Sequence, residues 1–153
     1  MIHEENTKVK IKLEKDMIFK HLNDYERLGN IYIDETLERK SDNLWGPDAA
    51  SLLGLSILSC LSASFIFCLN KRKLNPDDLD GYAEVAFKKD EKGYKRIKEI
   101  KVKIKPMTED PETLKRMKQC VREMRDGEMY FEKSCIVTPS VRDGININVN
   151  IEF

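Results

Sequence analysis

Apolar and polar residues alternate with a period of two at both ends of this chain, and the alternation gives way to longer apolar stretches in the middle. Near the start, Val9, Ile11 and Leu13 fall on one side and Lys8, Lys10 and Lys12 on the other, the pattern of a strand with one packed and one wet face. Lys15-Asp16 reads as a turn into a second strand, Met17–Leu22, and Asn30–Asp34 reads as a third strand after Gly29. The three form an N-terminal meander. Residues 35–45 are polar without clear periodicity and read as a loop. Gly46-Pro47-Asp48 then starts a helix, with proline where a missing N–H is harmless and an acid at the positive end of the dipole. Its body is Leu52–Leu69, eighteen residues without a charge, and Lys71-Arg72-Lys73 complements its C-terminal end.

Beyond that helix, Tyr82–Phe87 reads as a strand and Asp90-Glu91-Lys92-Gly93 as a turn. Ile100, Val102 and Ile104 then alternate with Lys101, Lys103 and Lys105, which completes a hairpin. Asp110-Pro111-Glu112 opens a second helix, in which Leu114, Met117, Val121 and Met124 recur at helical spacing as the packed face. Gly127 interrupts it, and Glu128–Cys135 forms a further short helical piece. At the end Ile145, Ile147, Val149, Ile151 and Phe153 alternate with Asn146, Asn148, Asn150 and Glu152, a strand whose odd face is expected to be buried. The expected fold class is α+β, with a strand meander, a long buried central helix, a hairpin, a broken second helix and a C-terminal strand. No repeat or linker divides the chain, so residues 1–153 are expected to form a single domain.

Composition narrows the function. Lys plus Arg and Asp plus Glu are both 27, so no net field draws the chain to nucleic acid or to an anionic membrane. The alternating lysines are read as a solvated sheet face and His21 as a surface or half-buried residue. The apolar run is long enough to raise the possibility of a membrane span. Its Gly54, four serines and two cysteines favour a helix buried in a core or subunit interface instead. His3 and His21 lie far apart, and cysteines at 60, 68, 120 and 135 form no Cys-x-x-Cys pair, so no metal or other cofactor is assigned. The N-terminus has neither a basic nor an apolar leader pattern, and a cytoplasmic location is expected.

The cysteines carry the candidate chemistry. Cys60 lies midway along the apolar helix, and Cys135 ends the short helical piece before the terminal strand. One reactive thiol and a second that resolves its product as a disulfide fit that arrangement, whereas Cys68 and Cys120 sit on apolar helical faces and are read as core residues that remain reduced. Two fragments then resemble a known family. They are Gly46-Pro47-Asp48-Ala49-Ala50-Ser51-Leu52-Leu53 followed by Ser59-Cys60-Leu61, and Phe131-Glu132-Lys133-Ser134-Cys135 running on to Arg142 and Ile145. In this order, with a hairpin and a helix between them, they resemble the OsmC/Ohr superfamily over nearly the whole chain.

The resemblance implies an intertwined homodimer that reduces organic hydroperoxides. Cys60 would attack the distal peroxide oxygen and become a sulfenic acid, Cys135 would close a disulfide with it, and an external dithiol would restore both. Leu53, Ile57, Leu61, Phe65 and Phe67 would surround a bulky substrate. The chain departs from the family at Ala49 and Ala50, which replace a proline and an acid, and at Ile136, which replaces a proline. The early turn offers Lys15-Asp16 where the peroxidase branch supplies an arginine; Arg39 and Lys40 could reach the thiols in its place, but a solvated charge cluster is the favoured reading of them. These departures support an alternative, a non-catalytic OsmC-like dimer that binds an apolar small molecule at its interface.

Overall fold

The computed structural model describes residues 7–25, 27–37, 43–122, 124–125 and 128–153. It divides into two compact units, 1–52 and 53–153, with the boundary in the first turn of the long helix. In the first unit, β1 (Lys10–Lys15), β2 (Ile18–Leu22) and β3 (Tyr32–Asp34) form an antiparallel meander in the order β1-β2-β3. Asp16, at φ 47°, makes the turn read from Lys15-Asp16, and the register slips between Leu13 and Lys15. Asp34 is buried, and its carboxylate accepts from the backbone and hydroxyl of Thr36 and from the amide of Trp45. A buried carboxylate must be satisfied in this way, and these bonds fasten the loop onto β3. Gly46 passes so close to the Tyr32 carbonyl that a side chain there would collide with it.

Helix α1 (Ala49–Asn70) begins where the Gly-Pro-Asp segment predicts, because the Asp48 carboxylate accepts from the Ser51 amide at 2.8 Å. It is long and apolar enough to cross a bilayer by length and composition alone. In the structure its Ile57, Leu61, Phe65, Cys68 and Leu69 are instead the spine of the core of the second unit. There β4 (Asp78–Lys89) and β5 (Lys95–Met107) form the expected hairpin, longer at both ends than the alternation suggested. Asp90 accepts from the amides of Lys92 and Tyr94 in its turn, and Gly93 takes φ 85°. Helix and sheet meet at small residues. A Cβ on Gly54 would lie 2.9 Å from Val85, and one on Gly81 would lie 3.0 Å from Leu58.

Helix α2 (Pro111–Arg122) is capped by Asp110, which accepts from the Thr113 amide at 2.8 Å and hydroxyl at 2.6 Å. Those bonds lower the Asp110 pKa. The packed face differs from expectation. Thr113, Met117 and Cys120 are buried, whereas Leu114 and Val121 are exposed and Met124 falls in β6 (Met124–Arg125). Apolar spacing alone does not distinguish two faces about one residue apart, and the core selects the one that carries Cys120. β7 (Glu128–Met129) and a 3-10 turn (Tyr130–Ser134) replace the single helical piece expected before Cys135, and α3 (Val137–Asp143) follows.

The terminal segment also departs from the expectation. Residues 144–153 form no strand, and Ile147, Val149 and Phe153 are 77%, 81% and 118% exposed, so the odd face is not buried within one chain. The apolar row of β1 is exposed as well.

Candidate active site

Cys60 occupies the third turn of α1, between the buried Ile57 and Leu61, and is itself half-buried. Cys135 is buried in the short link between the 3-10 turn and α3. The structure sets these two free thiols near enough to shift each other's titration. Two elements distant in sequence thus converge on one site.

Their surroundings separate them. Burial pushes the Cys60 thiol up, and its hydrogen bond to Cys135 pushes it further, against the amides of Val137 and Ile136. Burial also pushes Cys135 up, but hydrogen bonds from Cys60, from the Thr138 hydroxyl and from the amides of Thr138 and Val137 outweigh it and bring that thiol down. Thr138 Oγ1 lies 3.2 Å from Cys135 Sγ, and the Thr138 amide donates to that sulfur at 3.4 Å. Of the two thiols, Cys135 is therefore the one whose surroundings favour the charged form. The first turn of α3 supplies donors that sequence reasoning missed, because the helix was not expected. Pro139 near its start and Gly144, at φ 85° just past its end, are the signals that mark it.

An apolar cavity of about 630 Å³ lies close by, walled by neighbours of the two thiols but by neither cysteine itself. Ile57, Leu61 and Phe65 of α1, Ile100 and Val102 of β5, and Thr138 of α3 contribute to its wall. Of the surrounding residues expected from sequence, Ile57, Leu61 and Phe65 take this position. Leu53 packs against the core instead, and Phe67 is 53% exposed away from it. One end of the cavity carries the ion pair of Arg142 with Glu132, at 2.8 Å, and Glu132 also accepts from the Met129 amide at 2.6 Å. These bonds tie the 3-10 turn to α3 and so fix the backbone on either side of Cys135. Arg39 and Lys40 lie outside the described residues. Lys15 sits 5.1 Å from the Trp45 ring. Among the described residues no group of three His, Cys, Asp or Glu side chains is placed to hold a metal.

Cys68 and Cys120, expected to be reduced core thiols, form a disulfide. The rotated face of α2 is the reason, since it brings Cys120 opposite the last turns of α1 with a Cα separation of 6.3 Å, within the span of a bridge.

The model of the OsmC-like protein family matches residues 40–150, which contain both thiols. The chain belongs to the OsmC-like protein family. An OsmC-like protein from Mycoplasma pneumoniae shares its fold, with a TM-score of 0.61 and 14% identity over 97% of this chain and 98% of that one. A protein of Psychrobacter arcticus 273-4 ascribed to the osmotic stress induced and detoxification response is similar at TM-score 0.59 and 16% identity, covering 92% and 91% of the two chains. A hypothetical protein from Aquifex aeolicus VF5 is similar at TM-score 0.57 and 21% identity, covering 93% and 91%. No curated protein sequence matches the chain. The OsmC-like fold assignment agrees with the α+β class expected from the sequence.

Proposed function

We propose that this OsmC-like protein is a cytoplasmic, thiol-dependent peroxidase that reduces organic hydroperoxides through Cys60 and Cys135. The observation that carries this reading is the pairing of two free thiols at one site, with Cys135 Sγ held by the Thr138 hydroxyl at 3.2 Å and amide at 3.4 Å and the charged form favoured there over Cys60. Cys60 is the more accessible sulfur and makes the attack. As its sulfur bonds to the distal peroxide oxygen, the O–O bond breaks. The Cys60 proton passes to Cys135 and from there to the leaving alkoxide, which departs as the alcohol. Cys135, again a thiolate, attacks the Cys60 sulfenic acid, displaces hydroxide and closes the disulfide. A dithiol reduces that bond by two successive exchanges. The cavity walled by Ile57, Leu61 and Thr138, which neighbour the thiols, suits the apolar body of the substrate.

We further propose that two copies of the chain pair, and that the two units of each chain form a single domain in that dimer. The apolar rows of β1 and of residues 145–153, exposed in one chain, motivate this reading.

The test is consumption of tert-butyl hydroperoxide with a dithiol as reductant. Wild type is expected to turn over, Cys60→Ser to be inactive, and Cys135→Ser to oxidise once without efficient recycling. Wild-type turnover by Cys60→Ser overturns the assignment. An inactive wild type with both thiols reduced and accessible favours the alternative of an OsmC-like dimer that binds an apolar molecule, for which Ala50 and the same cavity speak.

A further inference from the structure

Arg116 is the one side chain of α2 whose placement the packing does not explain. Its guanidinium reaches across to the end of α1, where Nη2 donates to the Cys68 carbonyl at 3.2 Å and lies 3.5 Å from Cys68 Sγ. Nη1 meets only the amide oxygen of Gln119 at 3.5 Å, and Nε is buried without a hydrogen-bond partner. Among the described residues no carboxylate lies within ion-pair distance of this cation. A half-buried guanidinium that lacks a counter-charge is costly unless some state of the protein supplies one. The atom placed to supply it is Cys68 Sγ, which is neutral in the disulfide and becomes an anion when that bond opens. A cation beside a cysteine sulfur favours the thiolate.

We propose that Cys68 and Cys120 are a second, reversible thiol–disulfide couple, in which Arg116 receives the Cys68 thiolate when the bond is reduced. Cys68, only 2% exposed, borders a small cavity of about 230 Å³ shared with Phe67, Lys71, Phe131, Lys133 and Ser134, and this is the route the proposal assigns to an attacking thiol. The first thiolate of a dithiol attacks Cys68 Sγ. The Cys68–Cys120 bond breaks, its electron pair leaves on Cys120 Sγ, and that sulfur takes a proton from water. The second thiolate of the reagent attacks its own sulfur in the mixed disulfide. Cys68 departs as a thiolate against Arg116, and the reagent leaves as a cyclic disulfide, so two electrons have passed to the protein. Oxidised dithiol reverses the sequence. Cys60 and Cys135 take no part in it, and the couple is independent of the peroxidase reading.

The experiment isolates the couple in the full chain carrying Cys60→Ser and Cys135→Ser, equilibrated without denaturant in mixtures of reduced and oxidised dithiothreitol. Acid quenching and maleimide labelling then count the free thiols by mass. A single two-electron transition between a Cys68–Cys120 disulfide and two free thiols is expected. Two thiols that stay free in fully oxidised reagent overturn the proposal, and so does a disulfide that opens only after unfolding. Arg116→Gln and Arg116→Lys, made in the same background and reduced, test the cation by ultraviolet thiolate absorbance against pH. The glutamine variant is expected to lose about tenfold in thiolate at neutral pH, the effect of roughly one pH unit. The lysine variant should retain most of it. An Arg116→Gln profile that matches the parent contradicts the role given to Arg116.

Discussion

The opposite shifts of Cys60 and Cys135 give the site a direction that neither thiol has alone. Because Cys135 is lowered and Cys60 raised, alkylation of the pair should begin at lower pH in wild type than in Cys135→Ser. The variant retains the half-buried Cys60 and loses the neighbouring thiol of lower pKa. Iodoacetamide labelling rates across pH measure this, and profiles that coincide would contradict the coupling. Asp110 offers a second titration. Its pKa is lowered, mainly by the Thr113 hydroxyl, so its contribution to stability is present above the ordinary value of 3.8 and lost as pH falls through the lower value of the folded protein. Asp110→Ala should therefore lower the melting temperature at neutral pH, with a gap that narrows on acidification. A gap constant with pH, read by thermal melts, would exclude the charge as the cause.

At the level of elements, the long helix, the hairpin and the turns were legible because each follows from local chemistry. Asp48 caps α1, Asp90 and Gly93 make the hairpin turn, and Asp110 caps α2. The segment around Cys135 was less legible. Its β7 strand and 3-10 turn are too short to show a period, and they are held by nonlocal bonds such as that of Arg142 with Glu132. The face of α2 was misplaced because Leu114 and Thr113 are neighbours in sequence and the core chose the smaller. Likewise, the cysteine pairing at 68 and 120 depends on that rotation and on no motif. Phe131 shows how much this segment leans on the core, since its ring meets Phe65 edge to face at a centroid distance of 5.5 Å and is buried. Phe131→Ala should cost about 3–5 kcal/mol in urea unfolding. A loss under about 1 kcal/mol would mean that the segment is not anchored there.

For the whole molecule, the C-terminal alternation predicts a strand with a buried odd face, whereas in the structure these residues form no strand and that face is exposed. A strand needs an edge to pair with and a surface to cover it, and within one chain residues 145–153 take neither. The proposed pairing of two copies predicts a dimer at micromolar concentration in sedimentation. A chain ending at Gly144 should dissociate, whereas a full-length monomer would contradict the pairing. The central claim is the cooperation of two thiols, and it is tested most directly by adding one equivalent of tert-butyl hydroperoxide per chain to protein whose Cys60 and Cys135 are reduced, then mapping the disulfides by mass spectrometry. The account predicts a peptide pair that joins Cys60 to Cys135. Full oxidant consumption with these two cysteines still free, or joined to other partners, would contradict it.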